Sequence, residues 1–243
     1  MAFTYFIADL HLSADRSDIT ACLFSFLENE ASHADALYVL GDLFEVWLGD
    51  DDVTPFSESI AAAFKAVSNH CPVYFMHGNR DFAIRQGWLH KAGMQLLDAQ
   101  TVIDLYGEPT LLTHGDELCT RDVAYQKFRK KSRSWWWPRL MLALPLWYRR
   151  RVARKGRQTS KSNQKNLRPE IMDVTPSEVV RVMEAHNVRQ LIHGHTHRPN
   201  IHMLTVHQSS AKRIVLGDWY DQGSVLRVSP DEVDLQTRSF ASN

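Results

Sequence analysis

The sequence is poor in cysteine, has no long apolar run and carries no surplus of charge, and each lack narrows what the chain can be. Its three cysteines, Cys22, Cys71 and Cys119, are scattered, odd in number and free of any Cys-x-x-Cys pair. That argues against a disulfide framework and a thiolate metal site, and it fits a reducing cytosol. Met1 leads directly into the first apolar segment, leaving no room for the charged and apolar regions of a signal peptide, so export by that route is not expected. The longest strongly apolar run, Leu140 to Trp147, falls well short of the ~20 residues that span a bilayer, although a run of that kind can lie on one. No internal repeat or low-complexity tract is present.

With 243 residues, 44% of them hydrophobic, the chain can bury the core of one domain with an insertion. The net charge of +0 is a cancellation of two strong fields. Residues 121–168 hold 16 of the 28 Lys and Arg against one acid, Asp122, and so carry +15; the remainder holds 12 bases against 27 acids, or −15.

Tyr38-Val39-Leu40-Gly41-Asp42 is an apolar run that stops at a glycine and a carboxylate. The same pattern recurs along the chain. Phe3 to Ala8 runs into Asp9-Leu10-His11, Val73 to Met76 into His77-Gly78-Asn79-Arg80-Asp81, Thr110 to Leu112 into Thr113-His114-Gly115-Asp116, and Leu191-Ile192 into His193-Gly194-His195-Thr196-His197. A buried strand that ends this way delivers a polar side chain to the rim of a sheet. Helices are expected between them: Ile19 to Glu30, Pro55 to Asn69, Ala83 to Ala92 before Gly93, and a segment from the capping box Thr175-Pro176-Ser177-Glu178 to His186. Val102 to Leu105 and Thr110 to Leu112 read as a hairpin, and Arg213 to Leu216, Ser224 to Val228 and Val233 to Leu235 as later strands. The acid cluster Asp50-Asp51-Asp52 lacks the alternating spacing and closing Glu of a calcium loop and reads as a surface loop at the site's rim. Strands alternating with helices predict an α/β chain.

Singly, each polar residue has a plainer use: Asp9 could cap a turn, Asn79 could sit in a left-handed turn, and His114 could be a satisfied core histidine. Together, seven neutral or anionic N and O ligands placed after apolar strands suit two divalent ions about 3.5–4 Å apart that share a carboxylate. The ordered set Asp9-x-His11, Gly41-Asp42, Gly78-Asn79, His114 and Gly194-His195-x-His197 resembles the calcineurin-like metallophosphoesterases. That resemblance implies one ion held by Asp9, His11, Asp42 and His197 and another by Asp42, Asn79, His114 and His195. It also implies the specific fold, a two-sheet β sandwich flanked by helices (α/β, or α+β) with a helical lid insertion. Residues 1–120 and 169–243 would form the core and 121–168 the lid.

One departure is informative. Most members of that superfamily follow Gly-Asn with His, whereas this chain has Gly78-Asn79-Arg80-Asp81. Arginine donates no proton at neutral pH but forks onto phosphate oxygens, which points to a pyrophosphate substrate whose leaving group needs charge stabilisation more than an acid.

The segment 121–168 also holds four of the seven tryptophans, Trp135, Trp136, Trp137 and Trp147. Basic residues flanking Trp and Leu make an interfacial element for lipid; the competing use is nucleic acid, and the apolar stretch Leu140 to Leu146 favours lipid. With this insertion and the runs Ile7 to Leu12, Leu40 to Glu45, His77 to Phe82 and Ile192 to Pro199, the whole chain resembles the UDP-2,3-diacylglucosamine pyrophosphohydrolase family of lipid A biosynthesis.

The resemblance implies hydrolysis to UMP and 2,3-diacylglucosamine 1-phosphate, by metal-activated water attacking the uridine-side phosphorus. Two Mn2+ are expected, zinc or iron being compatible with the ligand types. Asp42, Asn79, Arg80 and His195 would carry the catalysis, and Asn79, Arg80, Asp122, Tyr125, Ser160 and His195 would contact substrate. Beyond Ser160 the family places a polar residue and then a lysine where this chain has Gln164 and Leu167, so Asn163, Lys165 or Arg168 would substitute after a shift in register. The expected protein is a monomer, peripheral on the cytoplasmic face of the inner membrane, touching anionic lipid and no nucleic acid.

Overall fold

The computed structural model describes residues 2–164, 171 and 173–240, and side chains of the helix ending at Gln164 only as far as residue 156. Eleven strands among the described residues form two sheets. The first has the order β11-β10-β1-β2-β3-β4, built from β1 (Thr4–Ile7), β2 (Ala36–Val39), β3 (Val73–Phe75), β4 (Met94–Leu96), β10 (Gly223–Val228) and β11 (Val233–Arg238). The second has the order β5-β6-β7-β9-β8, built from β5 (Gln100–Leu105), β6 (Glu108–Thr113), β7 (Gln190–His193), β8 (Asn200–Val206) and β9 (Ser209–Val215).

Period-two alternation decides how the sheets are covered. In β1, Phe6 faces the second sheet, where it meets a core that includes Tyr38, Leu112, Ile192 and Ile214. Tyr5 and Ile7 face the other way, against Ile19, Leu23, Phe26 and Leu27 of α1 (Ser17–Asn29) and against Ile60 and Phe64 of α2 (Pro55–Ser68). On the outer face of the second sheet, Leu111 and Leu191 pack under Val179, Val182 and Met183 of α7 (Pro176–Ala185). The result is a helix, sheet, sheet, helix sandwich, which explains why the central strands read as unbroken apolar runs rather than alternating ones.

Several elements differ from the sequence reading. Strands β4 and β8 were not anticipated: β4 spans three residues with two exposed, and β8 lies at a sheet edge with only Val206 buried, so neither leaves an apolar run. Helix α3 is Gln86–Ala92, beginning after Ala83, because Asp81 to Ile84 closes a turn and Asp50 caps the helix by accepting from the backbone N–H of Arg85 and Trp88. The capping box expected at Thr175 does not form; Thr175 Oγ1 accepts instead from Thr120, and Glu178 pairs with Arg181. A reciprocal box forms at Thr54 and Ser57, at the start of α2.

Between β6 and α7 the chain leaves the sheets for α4 (Val123–Ser132), α5 (Trp137–Leu142) and α6 (Leu146–Gln164). Among the described residues no helix is long and apolar enough to cross a membrane.

Candidate metal centre

Strands β1, β2 and β3 are parallel neighbours, as are β6 and β7, and the five ligand-bearing segments follow their carboxyl ends. Parallel register therefore gathers Asp9, Asp42 and Asn79 from one sheet and His114, His195 and His197 from the other. The loops after β1 and β2 stay bonded beyond the strands: Asp9 N–H donates to Gly41 O and His11 N–H to Asp42 O, each at 3.0 Å. His195 N–H donates to Asp9 Oδ2 at 2.7 Å, which fastens the second sheet to the first at the site itself.

Five of the seven predicted ligands lie at positive φ: Asp9 at 55°, His11 at 49°, Asp42 at 53°, His195 at 69° and His197 at 55°. Non-glycine residues pay of order 1–3 kcal/mol for such backbone, and it persists where surrounding bonds hold it. Here it turns each side chain back from the strand end into the cleft between the sheets. Two glycines make the crowding possible. A Cβ on Gly78 would overlap Asp42 Oδ1, and one on Gly194 would overlap Asp9 Oδ2.

The donor atoms converge in two groups, Asp9 with His11 and His197, and Asp9 with Asp42 and His114. His11 Nε2 and His197 Nε2 face each other at 3.4 Å. Asp9 is common to both groups; Asp42 belongs to the second and reaches towards the first, with Oδ2 3.9 Å from His11 Nε2 and Oδ1 3.8 Å from His114 Nε2. Asn79 Oδ1 lies 3.1 Å from His114 Nε2 and 2.8 Å from His195 Nδ1. The buried Asp9 Oδ1 has no aligned hydrogen-bond donor; its neighbours are His197 Nε2 at 3.3 Å and His11 Nε2 at 4.0 Å. Carboxylate, amide and imidazole donor atoms converging at these distances suit a divalent cation.

Burial and charge set the protonation of these groups. Burial alone would raise the Asp9 carboxyl, but its contact with His197 and the nearby His114 and His11 hold it well below the usual carboxylate range. Burial likewise opposes charge on His197, yet its bonds to Asp218 and Asp9 push it up to about 10. His195 goes the other way: burial brings it down to about 3, so it is neutral at physiological pH.

Supporting residues escaped the sequence reading. His11 Nδ1 lies 3.1 Å from Glu45 Oε2, and His197 Nδ1 lies 3.2 Å from Asp218 Oδ2, the carboxylate-to-imidazole pairing that orients metal-binding histidines. Tyr220 stacks on His11 with centroids 5.1 Å apart. The buried Asp81 accepts from Gly78 N–H and Leu43 N–H, both at 2.8 Å, joining the Asp42 and Asn79 loops. A signal for Asp218 existed: Val215-Leu216-Gly217-Asp218 repeats the apolar, glycine, carboxylate pattern of Leu40-Gly41-Asp42.

The expected substrate contacts divide into three groups. Asn79, Arg80 and His195 are at the centre. Arg80 bonds Asp42 Oδ1 through its backbone N–H, and its buried Nε has no hydrogen-bond partner among the described residues. Asp122 and Tyr125 lie on the first insertion helix, where Asp122 caps α4 by accepting from Tyr125 N–H and Tyr125 stacks on His195 at 6.0 Å while its hydroxyl donates to Asp116. Ser160, Asn163 and Gln164 fall on α6 where side chains lie outside the description, and Lys165 and Arg168 lie outside the described residues.

A family model for calcineurin-like phosphoesterases matches residues 4–199. The chain is 52% identical over 239 residues to a protein of Photobacterium profundum named UDP-2,3-diacylglucosamine hydrolase, covering 98% of each. Proteins of the same name from Shewanella loihica, at 49% over 99% of this chain and 98% of that one, and from Escherichia coli, at 50% over 96% and 97%, match similarly. With its loops converging on one donor cluster and its length shared end to end with these relatives, the chain belongs to the calcineurin-like phosphoesterases and, within them, to the UDP-2,3-diacylglucosamine hydrolase family.

Proposed function

We propose that this protein hydrolyses the pyrophosphate of UDP-2,3-diacylglucosamine to UMP and 2,3-diacylglucosamine 1-phosphate, a step of lipid A biosynthesis. The observation that carries this reading is a path in the structure. The donor cluster adjoins the Arg80 guanidinium on one side and, through Tyr125 stacked on His195, an aromatic chain of Phe128, Trp137 and Phe82 with centroids 6.0–6.5 Å apart. Phosphate chemistry and an apolar seat for acyl chains lie side by side.

In this reading Asp9, His11, Asp42 and His197 hold one divalent ion and Asp42, Asn79, His114 and His195 hold the other. Two such ions would supply a water of lowered pKa and neutralise charge growing on the phosphoryl oxygens. Carboxylate, amide and imidazole donors without thiolate suit manganese, with zinc and iron within the same ligand chemistry. Arg80, tied to Asp42 by its backbone and unpaired at Nε, pairs with the non-bridging oxygens and stabilises the negative charge that develops on the leaving phosphate. The neutral His195 adds hydrogen-bonding capacity at the same oxygens without acting as an acid. One chain supplies all seven donors, so a monomer suffices.

Residues 121–168 form the insertion of this scheme, with the remainder as core. Trp135 and Trp147, 78% and 68% exposed, lie beside arginines on α5 and α6, an arrangement suited to anionic headgroups on the cytoplasmic face of the inner membrane. Phosphorus NMR of the manganese-loaded protein with UDP-2,3-diacylglucosamine in mixed micelles and oxygen-18 water tests the reading. Labelled UMP is expected; label on the lipid phosphate would move the attack to the other phosphorus. No cleavage, with turnover of a dinucleotide instead, would discard the lipid.

A further inference from the structure

Three arginines of the basic insertion point inward. Arg129 pairs with Asp116 and Glu117, shortly past His114. Arg149, almost fully buried, bonds Asp51 and Leu48 O, beyond Asp42. Arg133, which follows the last residue of α4, donates through Nη2 to Gly78 O at 2.7 Å and His77 O at 3.2 Å, immediately before Asn79. No other donor among the described residues reaches those two carbonyls.

Other contacts of this turn tie it to the centre. Gly78 N–H is held by Asp81, Arg80 N–H by Asp42, and Arg80 O accepts from Trp47 N–H at 3.3 Å. The amide groups of Gly78 and Arg80 are thus fixed by Asp81 and Asp42, and among the described residues the carbonyls of His77 and Gly78 are held from the insertion. The Arg133 guanidinium also lies over the Phe82 ring at 5.9 Å, which restricts its rotation.

We infer that Arg133 is a positioning residue for the metal centre: it holds the His77–Gly78 turn so that Asn79 meets its ion and Arg80 its phosphate. This rests on the ligand assignment proposed above. Residues that orient ligands from outside the coordination sphere are typically worth about 10–100-fold in metal affinity. Because binding free energies are reciprocal, metal bound at Asn79 in turn stabilises the seating of Arg133 and of the helix that carries it.

The test is a calorimetric Mn2+ titration of the full chain without substrate, comparing the unaltered protein with Arg133→Gln, Arg133→Lys and, as a charge control on the outer face of α7, Arg181→Gln. Arg133→Gln is expected to weaken one of two ions about 10–100-fold and leave the other unchanged, a selectivity that general destabilisation would not produce. Arg133→Lys keeps the charge but not the planar face on Phe82, and falls between; Arg181→Gln matches the unaltered protein. Two ions bound by Arg133→Gln with unaltered affinity would overturn the inference. If Arg133→Gln does not fold, Arg133→Lys decides: selective weakening of one ion supports the inference, and affinities equal to those of the unaltered protein overturn it. An unaltered protein that binds no Mn2+ would overturn the ligand assignment instead.

Discussion

The metal loops and the basic insertion are held by opposite means. Asp9, His11, Asp42 and His114 are buried, sit at the ends of strands packed on both faces, and are bonded backbone to backbone to the neighbouring loop of their own sheet, with His195 N–H on Asp9 Oδ2 joining the two sheets. The insertion exposes Trp135, Trp136, Leu140 and Trp147 and is joined to the core largely by arginines reaching carboxylates and carbonyl oxygens. The centre can therefore store backbone strain, because many bonds oppose its release, whereas the insertion rests on a few contacts that can be removed singly. Of the 16 bases in residues 121–168, Arg129, Arg133 and Arg149 reach inward and fasten these helices to the core.

Removing the carboxylate that lies between His11 and His114 should break this contrast most severely. Asp42→Ala is expected to abolish paired-metal binding and measurable turnover while α4 to α6 keep their helicity, checked by metal analysis and circular dichroism. Full activity with a normal metal complement would refute the ligand set.

Arg149→Ala sharpens the contrast from the other side. It strips Leu48 O, Leu144 O and Asp51 of a buried donor, a loss of about 1–3 kcal/mol, towards the lower figure because Asp51 is largely exposed. Faster amide exchange in α6 with unchanged Mn2+ affinity is expected. A parallel fall in metal affinity would mean that the two regions form one cooperative unit.

The smallest effect lies at the junction. Glu117, beneath Arg129, is pushed up to about 7 by burial and by the neighbouring Asp116 charge, from about 4.5 when unfolded. A raised carboxyl contributes stability that is complete below its unfolded value and is lost as pH rises through the folded one. Glu117→Gln should remove this dependence, so melting temperatures of the two proteins, similar near pH 5, should separate by pH 8 with the glutamine variant higher. Parallel curves would show that Glu117 is already ionised in the fold.

The sequence alone carried much of the centre. Apolar runs ending in Gly-Asp, Gly-Asn or Gly-His expose both the strand and its polar terminus, since a strand buried on both faces has no other use for a carboxylate. The same reasoning, applied to Leu216-Gly217-Asp218, would have found the partner of His197, which the sequence reading passed over. Edge strands β4 and β8 were illegible for different reasons: β4 spans only three residues, and β8, seven residues long, buries only Val206. The capping signal at Thr175 was legible and misleading: a neighbouring hydroxyl, from Thr120, competes for the same oxygen.

What the sequence by itself determined was the inventory: which donors, at the ends of which strands, and a basic aromatic segment between the fourth and fifth of them. Tertiary structure decided which donors face which. The positive φ of five predicted ligands, the approach of the Asp42 carboxylate to both His11 and His114 and the grip of Arg133 on the His77–Gly78 turn depend on contacts between segments far apart in the chain. Local propensity favours none of these, and only the packing of two sheets against each other supplies the bonds that hold them.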